Sequence, residues 1–396
     1  MRLSLFAAMF LLLAISPAKG EPACTYEPTS EELEWEVVEP GISYVWYQKR
    51  GTETVAPIYI HILKIDIGDD QLTLRSLRPL GYSQTIEKIV GYFKEGEVDV
   101  RAAINGDYYS FVSKEKDPLG LHASGGQLLW FPLNTSSFVI DDANRAHIKR
   151  IEMSVAMAKG GKLVLQVHGA NRKAADNEAI LYSGYYRERT VAQRGCRVVA
   201  LSRDGLQGMF NNDMELEIVR FNSSGNSFKL KPRDLSLVVC DDSEERTTDW
   251  KVGDKVTLRV RTPGFESSIM EAISGGPRVL RDGLVVDEGK EEGFSMSMRF
   301  YIPKRHPRSA VGVSADGKTI YFLVGEGRIK RSQGLTGTDS ACLLRAVGAA
   351  DAMLFDGGGS AVMMVGDGFR NIPHKGRNWT SRALANILAV IRLKKE

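Results

Sequence analysis

Short apolar runs rich in β-branched residues recur along the whole chain, and turn-forming residues separate them. The run over residues 58–67 alternates isoleucines with other side chains and predicts a mostly buried strand. Asp282-Gly283 and Asp316-Gly317 each predict a hairpin turn between two strands. Further strand-like runs cover residues 98–104, 162–167, 197–201, 236–239, 256–260, 278–280, 310–314, 319–324, 352–355, 361–365 and 385–393.

Helix signals are few by comparison. Residues 86–93 follow hydroxyl side chains that can cap a helix N-terminus. Residues 338–347 begin at Thr338 and carry Asp339 in the first turn, where a negative charge is favourable. Many strands with few helices predict an α+β fold with a mixed, strand-rich sheet core. They do not predict the strand–helix alternation of a doubly wound sheet.

The first twenty residues are typical of an export signal. Arg2 provides a positive start, residues 5–15 form an unbroken apolar run, and Ala18-Lys19-Gly20 places small residues where a signal peptidase reads them. The apolar run is too short to span a bilayer as a helix. We therefore expect a signal peptide over residues 1–20 and a mature chain that is secreted, either extracellular or periplasmic.

Composition and charge narrow the class of protein. The chain has 396 residues, of which 43% are hydrophobic and 26% are charged, and this balance argues against long disordered regions. Lys and Arg exceed Asp and Glu by only 52 to 49, a formal net charge of +3. So small an excess provides no electrostatic argument for nucleic acid or an anionic membrane as the main partner.

The four cysteines lie far apart and form no CxxC motif, which argues against a zinc cluster. In an oxidising compartment they allow one or two disulfide bonds. Cys196 and Cys240 lie in neighbouring strand-like segments, so we expect these two to pair. The other two cysteines are Cys24 and Cys342.

The segment Phe355-Asp-Gly-Gly-Gly-Ser360 is the sharpest local signal in the chain. Three glycines between two apolar runs weaken strand pairing, but they allow several backbone N–H groups to surround one small anion. Ser360 adds a hydroxyl donor and Asp356 adds a carboxylate. The alternative interpretation is a tight turn between two strands. The segment is neither a P-loop nor a GxSxG elbow, because a strand-like run follows it.

Other polar residues follow or precede buried runs. Arg308, in a basic loop before a strand, can bind a phosphate through two N–H groups, although it can equally cap a carboxylate. Asn105-Gly106-Asp107 follows a buried run and forms either a turn or the mouth of a pocket. Taken one by one, these features have structural explanations as well as functional ones.

The order of these elements is more specific than any one of them, and it resembles the phosphodiester glycosidase family. That family includes N-acetylglucosamine-1-phosphodiester alpha-N-acetylglucosaminidase and bacterial proteins of the exopolysaccharide biosynthesis type. The elements are, in order, Asn105-Gly-Asp-Tyr-Tyr, Gly275-Gly-Pro277, Arg305-His-Pro-Arg308, Gly325-Glu-Gly-Arg328, Gly334-Leu-Thr336, Phe355-Asp-Gly-Gly-Gly-Ser360 and Asn371-Ile-Pro373.

The resemblance implies a division of the chain. A catalytic domain of the phosphodiester glycosidase type is expected over residues 98–391, with an inserted region at about 150–270. Residues 21–97 are expected to form an N-terminal, strand-rich accessory region.

The resemblance also implies a reaction, the hydrolysis of a sugar-1-phosphodiester to a free sugar and a phosphomonoester on a glycan or polysaccharide. Such a reaction needs carboxylates near the anomeric carbon and hydrogen-bond donors near the phosphate. The candidate catalytic residues are Asp356, Asp107, Asp339 and Glu326. The candidate substrate- and phosphate-binding residues are Asn105, Arg308, Arg328, Thr336, Gly357, Gly358, Gly359, Ser360 and Asn371.

Two other functions stay open at this point. The same pocket can bind an anionic surface polysaccharide without turnover, although carboxylates beside the phosphate donors would repel such a ligand. Alternatively, Asp107, Asp356 and Asn105 can ligate a hard divalent cation in a metal-dependent phosphodiesterase. Our first expectation is an enzyme with no cofactor and no metal site. Its partner is expected to be a sugar-phosphate or polysaccharide substrate.

Overall fold

The computed structural model describes residues 21–68, 71–110, 115–202, 208–222, 226–232, 234–240, 246–373 and 381–394, without the side chains of residues 300 and 301. The expected signal peptide at residues 1–20 lies outside the described residues. Within these ranges there is no helix long and apolar enough to cross a membrane. The described residues form four β-sheets and three α-helices, so the predicted strand-rich α+β fold is confirmed.

Sheet I is the central sheet, and its middle strands bury apolar side chains on both faces. Ile58, Ile60 and Ile62 contribute to one apolar cluster, whereas Leu63 and Ile65 contribute to another. Burial on both faces explains why this part of the chain is a near-continuous apolar run. In spatial order, the strands are β1 (Glu36–Glu39), β2 (Ile42–Lys49), β3 (Ile58–Asp66), β22 (Thr319–Gly325), β21 (Arg308–Val313), β23 (Asp351–Leu354), β19 (Arg278–Arg281) and β20 (Leu284–Val285).

Sheet IV packs against sheet I, and the two share one apolar core. The strands of sheet IV, in spatial order, are β25 (Gly368–Phe369), β24 (Met363–Val365), β5 (Val100–Asn105), β26 (Ile387–Arg392) and β4 (Leu72–Leu77). In both sheets, a strand from residues 36–77 pairs with a strand from the last third of the chain: β3 with β22 in sheet I, and β4 with β26 in sheet IV. The division between an accessory region at 21–97 and a catalytic domain stays a prediction, and the sheets continue across it.

Sheets II and III pack around a second core, and sheet III also contributes apolar residues to the core shared by sheets I and IV. Sheet II contains β11 (Lys162–Val167), β10 (Ser154–Lys159), β17 (Lys255–Arg261), β15 (Asp213–Asn222), β14 (Cys196–Ser202), β16 (Leu235–Cys240), β13 (Ala179–Ser183) and β12 (Gly169–Ala170). Sheet III contains β7 (Gln127–Trp130), β6 (His122–Ser124), β18 (Ile269–Ser274), β8 (Ser136–Asp141) and β9 (Ala146–Arg150). All strands of sheet II lie within the region that the sequence suggests is inserted.

The helices cover the outer faces of the sheets. Helix α1 (Ile86–Glu95) packs on sheet IV, α3 (Gly337–Ala346) packs on sheet I, and the short α2 (Met296–Tyr301) was not predicted. Helix α3 begins one residue before the predicted Thr338. Its N-cap is Thr336, whose hydroxyl accepts a hydrogen bond from the Asp339 N–H.

Two disulfide bonds join the four cysteines. Cys196 and Cys240 lie opposite each other on β14 and β16 and are bonded, so the predicted pair is confirmed. Cys24 is bonded to Cys342, which anchors the start of the described chain to α3. Disulfide bonds of this kind form in oxidising compartments.

We expect removal of the Cys196–Cys240 bond to destabilise sheet II. The bond closes a loop with a sequence separation of 44 residues, and loops of that size give a stabilisation of roughly 2–4 kcal/mol. Urea unfolding of the Cys196→Ala/Cys240→Ala double variant should show this loss in the free energy of unfolding. An unchanged midpoint and slope would contradict the prediction.

Candidate active site

A cavity of about 470 Å³ opens where β5, β18 and β23 end. Asp107 follows β5 by two residues, Asp356 follows β23 by two residues, and Gly275 directly follows β18. Adjacent strand ends therefore bring together side chains that are distant in sequence. The lining residues are Asp107, Tyr108, Tyr109, Leu119, Leu133, Asn134, Thr135, Gly275, Glu292, Gly293, Phe294, Ser295, Met298 and Asp356.

Asp107 and Asp356 form what we call the acidic floor of this cavity. The side chain of Asn105 holds the backbone of this floor in place. It is fully buried, its Nδ2 donates to the Asp356 carbonyl oxygen at 2.6 Å, and its Oδ1 accepts from Ser309 Oγ at 2.6 Å. The Val362 N–H donates to the same Oδ1 at 3.1 Å. Because both polar atoms are engaged with protein groups, the amide joins β5, β21 and the glycine loop. Its predicted contact with substrate stays a prediction.

Asp107 is a buried carboxyl group at the cavity. Its Oδ2 accepts a hydrogen bond from the Gly120 N–H at 2.9 Å, and its own N–H donates to Asn386 Oδ1 at 2.9 Å. Burial raises the pKa of Asp107 to about 7, and the negative charge of Asp356 adds to the rise against the opposing hydrogen bonds from backbone N–H groups. The group can therefore carry a proton near neutral pH.

Asp356 is the second carboxyl group of the floor. Its backbone N–H donates to the Gly106 carbonyl at 3.0 Å, which holds the two strand ends together. Burial raises the pKa of Asp356 to about 6, while the Ser360 hydroxyl, the Arg382 charge and the Gly357 N–H oppose the rise. Two carboxyl groups with raised pKa values in one cavity can act as an acid and a base in the same reaction.

The glycine loop connects β23 to β24 through a 3-10 turn at Gly358–Ser360. A Cβ at Gly357 would lie 2.8 Å from the Pro307 carbonyl oxygen, and Gly358 has a φ of +60°, so both positions favour glycine. The Gly358 N–H donates to the Pro307 carbonyl at 2.8 Å, which occupies one of the donors expected for an anion. The predicted anion-binding roles of Gly357, Gly358, Gly359 and Ser360 stay predictions.

The two predicted arginines differ in their surroundings. Arg308 is buried, and its guanidinium donates to the carbonyl oxygens of Leu335, Ile302 and Lys304 at 3.0–3.2 Å. Arg328 is exposed beside the glycine loop, and a Cβ at Gly358 would lie 3.5 Å from its guanidinium. Arg308 adjoins the loop as well, because a Cβ at Gly357 would lie 3.8 Å from its Cδ. Phosphate binding by either stays a prediction.

The remaining predicted residues lie outside the described lining of the cavity. Asp339 and Thr336 cap α3, and Asp339 also pairs with Arg305 at 3.0 Å. Glu326 is buried and pairs with Arg331 at 2.6 Å. It also pairs with His61 at 3.4 Å, and these contacts lower its pKa against the effect of burial. Asn371 bonds the backbone at Met363 and Ala361.

The structure adds Glu292 to the cavity, a residue that sequence reasoning missed. Its carboxylate accepts hydrogen bonds from Ser136 N–H at 3.0 Å, Ser136 Oγ at 2.7 Å and Arg278 N–H at 2.8 Å. Burial raises its pKa. Glu292 ends an acidic stretch that resembles an exposed loop, so no local signal points to it.

Arg382 acts on the cavity from the segment before β26. Its guanidinium lies 5.2 Å from the centre of the Tyr109 ring, and its charge lowers the pKa of Asp356. It is therefore a cation beside the acidic floor, in a position to neutralise an anionic substrate.

The residues proposed for a hard cation do not form a ligand cluster. Asn105 Oδ1 already accepts two hydrogen bonds from protein groups. Of the three proposed ligands, Asp107 and Asp356 are then the two whose carboxylates line the cavity. Within the described ranges, no group of three or more His, Cys, Asp or Glu side chains is arranged to hold a metal ion.

Two carboxyl groups that line one cavity can serve as the acid and the base of a hydrolytic reaction. A family model described as phosphodiester glycosidase matches residues 222–391. The resemblance to this family is confirmed over that part of the chain, and the match supports a hydrolase-type function.

Comparisons with individual solved structures show that this chain shares their fold. A hypothetical protein from Synechocystis has a TM-score of 0.70 and 16% identity over 91% of this chain, which covers 64% of that one. A protein of Burkholderia pseudomallei K96243, assigned as exported, has a TM-score of 0.62 and 19% identity, over 86% of this chain and 75% of that one. The SPbeta prophage-derived protein YomE of Bacillus subtilis is 35% identical over 77 residues, 19% of this chain and 12% of that protein.

Proposed function

We propose that this protein is an exported hydrolase that cleaves a glycosyl phosphodiester and releases a free sugar and a phosphomonoester. The observation that carries the proposal is the pair Asp107 and Asp356, which follow strands of two different sheets and line one cavity, with pKa values of about 7 and about 6. The match to the phosphodiester glycosidase family, which covers Asp356, supports the same reaction.

In the proposed mechanism Asp356 is the ionised carboxylate and acts on the anomeric carbon, either by attack or by activating water. Asp107 is the protonated group, in keeping with its raised pKa, and it donates a hydrogen bond to an oxygen of the scissile phosphate. A phosphate leaving group needs little protonation, and a neutral Asp107 reduces repulsion of the diester anion.

Arg382 is the proposed partner of the phosphate. It lies beside Tyr109 and acts electrostatically on Asp356, so it can bind the diester anion next to the acidic floor. Arg328, beside the glycine loop, is a second candidate cation. A non-catalytic polysaccharide binder would have little use for two carboxyl groups at this position, since both repel an anion once they are ionised.

Hydrolysis in oxygen-18 water tests the bond that breaks. We expect the label to enter the sugar, because the proposed attack is on the anomeric carbon, and the released phosphomonoester should stay unlabelled. Label in the phosphate would identify P–O cleavage and overturn the proposal. Glucosyl, N-acetylglucosaminyl and mannosyl methyl phosphodiesters are suitable probes, and heat-unfolded protein is the control.

A further inference from the structure

The exposed and half-buried lining of the cavity includes several apolar side chains beside the polar Asn134, Thr135 and Ser295, in contrast to its acidic floor. Leu119 and Leu133 line the cavity and are 41% and 51% exposed. Phe294 and Met298 also line the cavity and are half-buried. The carboxyl groups that react in the proposed mechanism lie deeper, where Asp107 is buried.

These apolar side chains come from separate parts of the chain. Leu119 lies between β5 and β6, Leu133 lies between β7 and β8, and Met298 lies on α2. On the same helix, Met296 is 69% exposed. Single exposed apolar residues are ordinary on protein surfaces, but several that converge on the mouth of one cavity indicate a ligand with an apolar part.

A sugar alone does not match this wall. Sugars bind through hydrogen bonds to their hydroxyl groups and by stacking on aromatic faces. The floor offers hydrogen-bonding groups in the carboxyl groups of Asp107 and Asp356. Leu119, Leu133 and Met298 offer neither. The wall therefore fits the other side of a phosphodiester, the alcohol that is esterified to the phosphate.

From this arrangement, and resting on the proposed function, we infer that the substrate is a glycosyl phosphodiester of a long-chain alcohol. The sugar and phosphate lie on the acidic floor, and the hydrocarbon chain lies against Leu119, Leu133, Phe294 and Met298. Water adds to the anomeric carbon, the C–O bond breaks, and the long-chain alcohol leaves as its phosphomonoester with the electron pair of that bond.

The methyl phosphodiesters of glucose, N-acetylglucosamine and mannose are first compared, and the sugar that is hydrolysed fastest is chosen. The test then compares the methyl and hexyl phosphodiesters of that sugar. Each methylene that becomes buried contributes up to about fourfold in binding. On this open wall we expect the kcat/KM of the hexyl diester to exceed that of the methyl diester at least about tenfold. Leu119→Gln and Leu133→Gln should each reduce that ratio, because they replace apolar contact by a polar amide.

A matched control separates the wall from general surface effects. Leu163 on β11 is 64% exposed and belongs to sheet II, so Leu163→Gln should leave the hexyl-to-methyl ratio unchanged. Equal kcat/KM values for the two diesters in the parent protein, or ratios that neither cavity variant changes, would overturn the inference and leave the proposed function standing. Failure to hydrolyse any of the diesters would overturn the proposed function itself.

Discussion

Replacing Asp356 by asparagine is expected to lower kcat/KM on a glycosyl phosphodiester by about a hundredfold to ten-thousandfold. Asparagine has nearly the same size, but it cannot be ionised, so it can neither attack the anomeric carbon nor accept a proton from water. The backbone N–H of residue 356 and the Asn105 contact with its carbonyl oxygen do not involve the carboxyl group. The fold should therefore persist, and thermal unfolding checks this.

Asp367→Asn provides the matched control for this prediction. The Asp367 side chain is 91% exposed in a surface pair with Lys94, so its loss should change neither activity nor stability appreciably. If Asp356→Asn melts like the parent and still hydrolyses the diester at a near-parental rate, Asp356 is not catalytic. Asp107 would then be the first candidate for that role.

Replacing Asp107 by asparagine is expected to change activity and stability in opposite directions. The proposed mechanism needs Asp356 ionised and Asp107 protonated, so kcat/KM of the parent should be bell-shaped, with limbs near pH 6 and pH 7. An asparagine side chain has no proton to lose in this range, so the variant should lack the alkaline limb. It should also lose about a hundredfold in kcat/KM at the optimum, because an amide is a weaker hydrogen-bond donor than a carboxylic acid.

The stability effect follows from the raised pKa of Asp107. Between the unfolded pKa near 4 and the folded pKa of about 7, the folded protein holds the proton more tightly than the unfolded chain does. This group therefore makes the parent less stable as the pH rises through that interval. Asp107→Asn removes the buried charge, and the amide oxygen of the new side chain can still accept the Gly120 N–H.

Thermal unfolding at pH 5 and pH 8 measures this effect. The Tm of Asp107→Asn relative to the parent should be higher at pH 8 than at pH 5. A relative Tm that does not change between the two pH values would contradict a raised pKa at Asp107. An alkaline limb that persists in the variant would assign that limb to another group.

Much of the strand pattern could be predicted because it depends on local sequence. The strand at residues 162–167 and the hairpins at Asp282-Gly283 and Asp316-Gly317 occur where predicted. The Cys196–Cys240 bond was predicted for a similar reason, since both residues lie in strand-like segments. Helix α2 was missed because its six residues are too few to establish a helical period.

The candidate site shows where local sequence ceases to be informative. The sequence does not show that the Asp339 carboxylate accepts the Thr336 N–H and pairs with Arg305. It also does not show that the Arg308 guanidinium bonds three carbonyl oxygens. Sequence inspection does not place these partners beside the side chains, and the predicted roles of both residues stay predictions.

By itself the sequence determined the fold class, the glycine loop and the identity of Asp107 and Asp356 as candidates, because strand periodicity, turn chemistry and glycine clusters are local properties. Only the tertiary structure decided that these two carboxyl groups share a cavity with Glu292 and an apolar outer wall. The physical reason is the separation along the chain of the groups that touch. Asn105 bonds Ser309 and the Asp356 carbonyl across 204 and 251 residues, and such contacts depend on how the sheets pack.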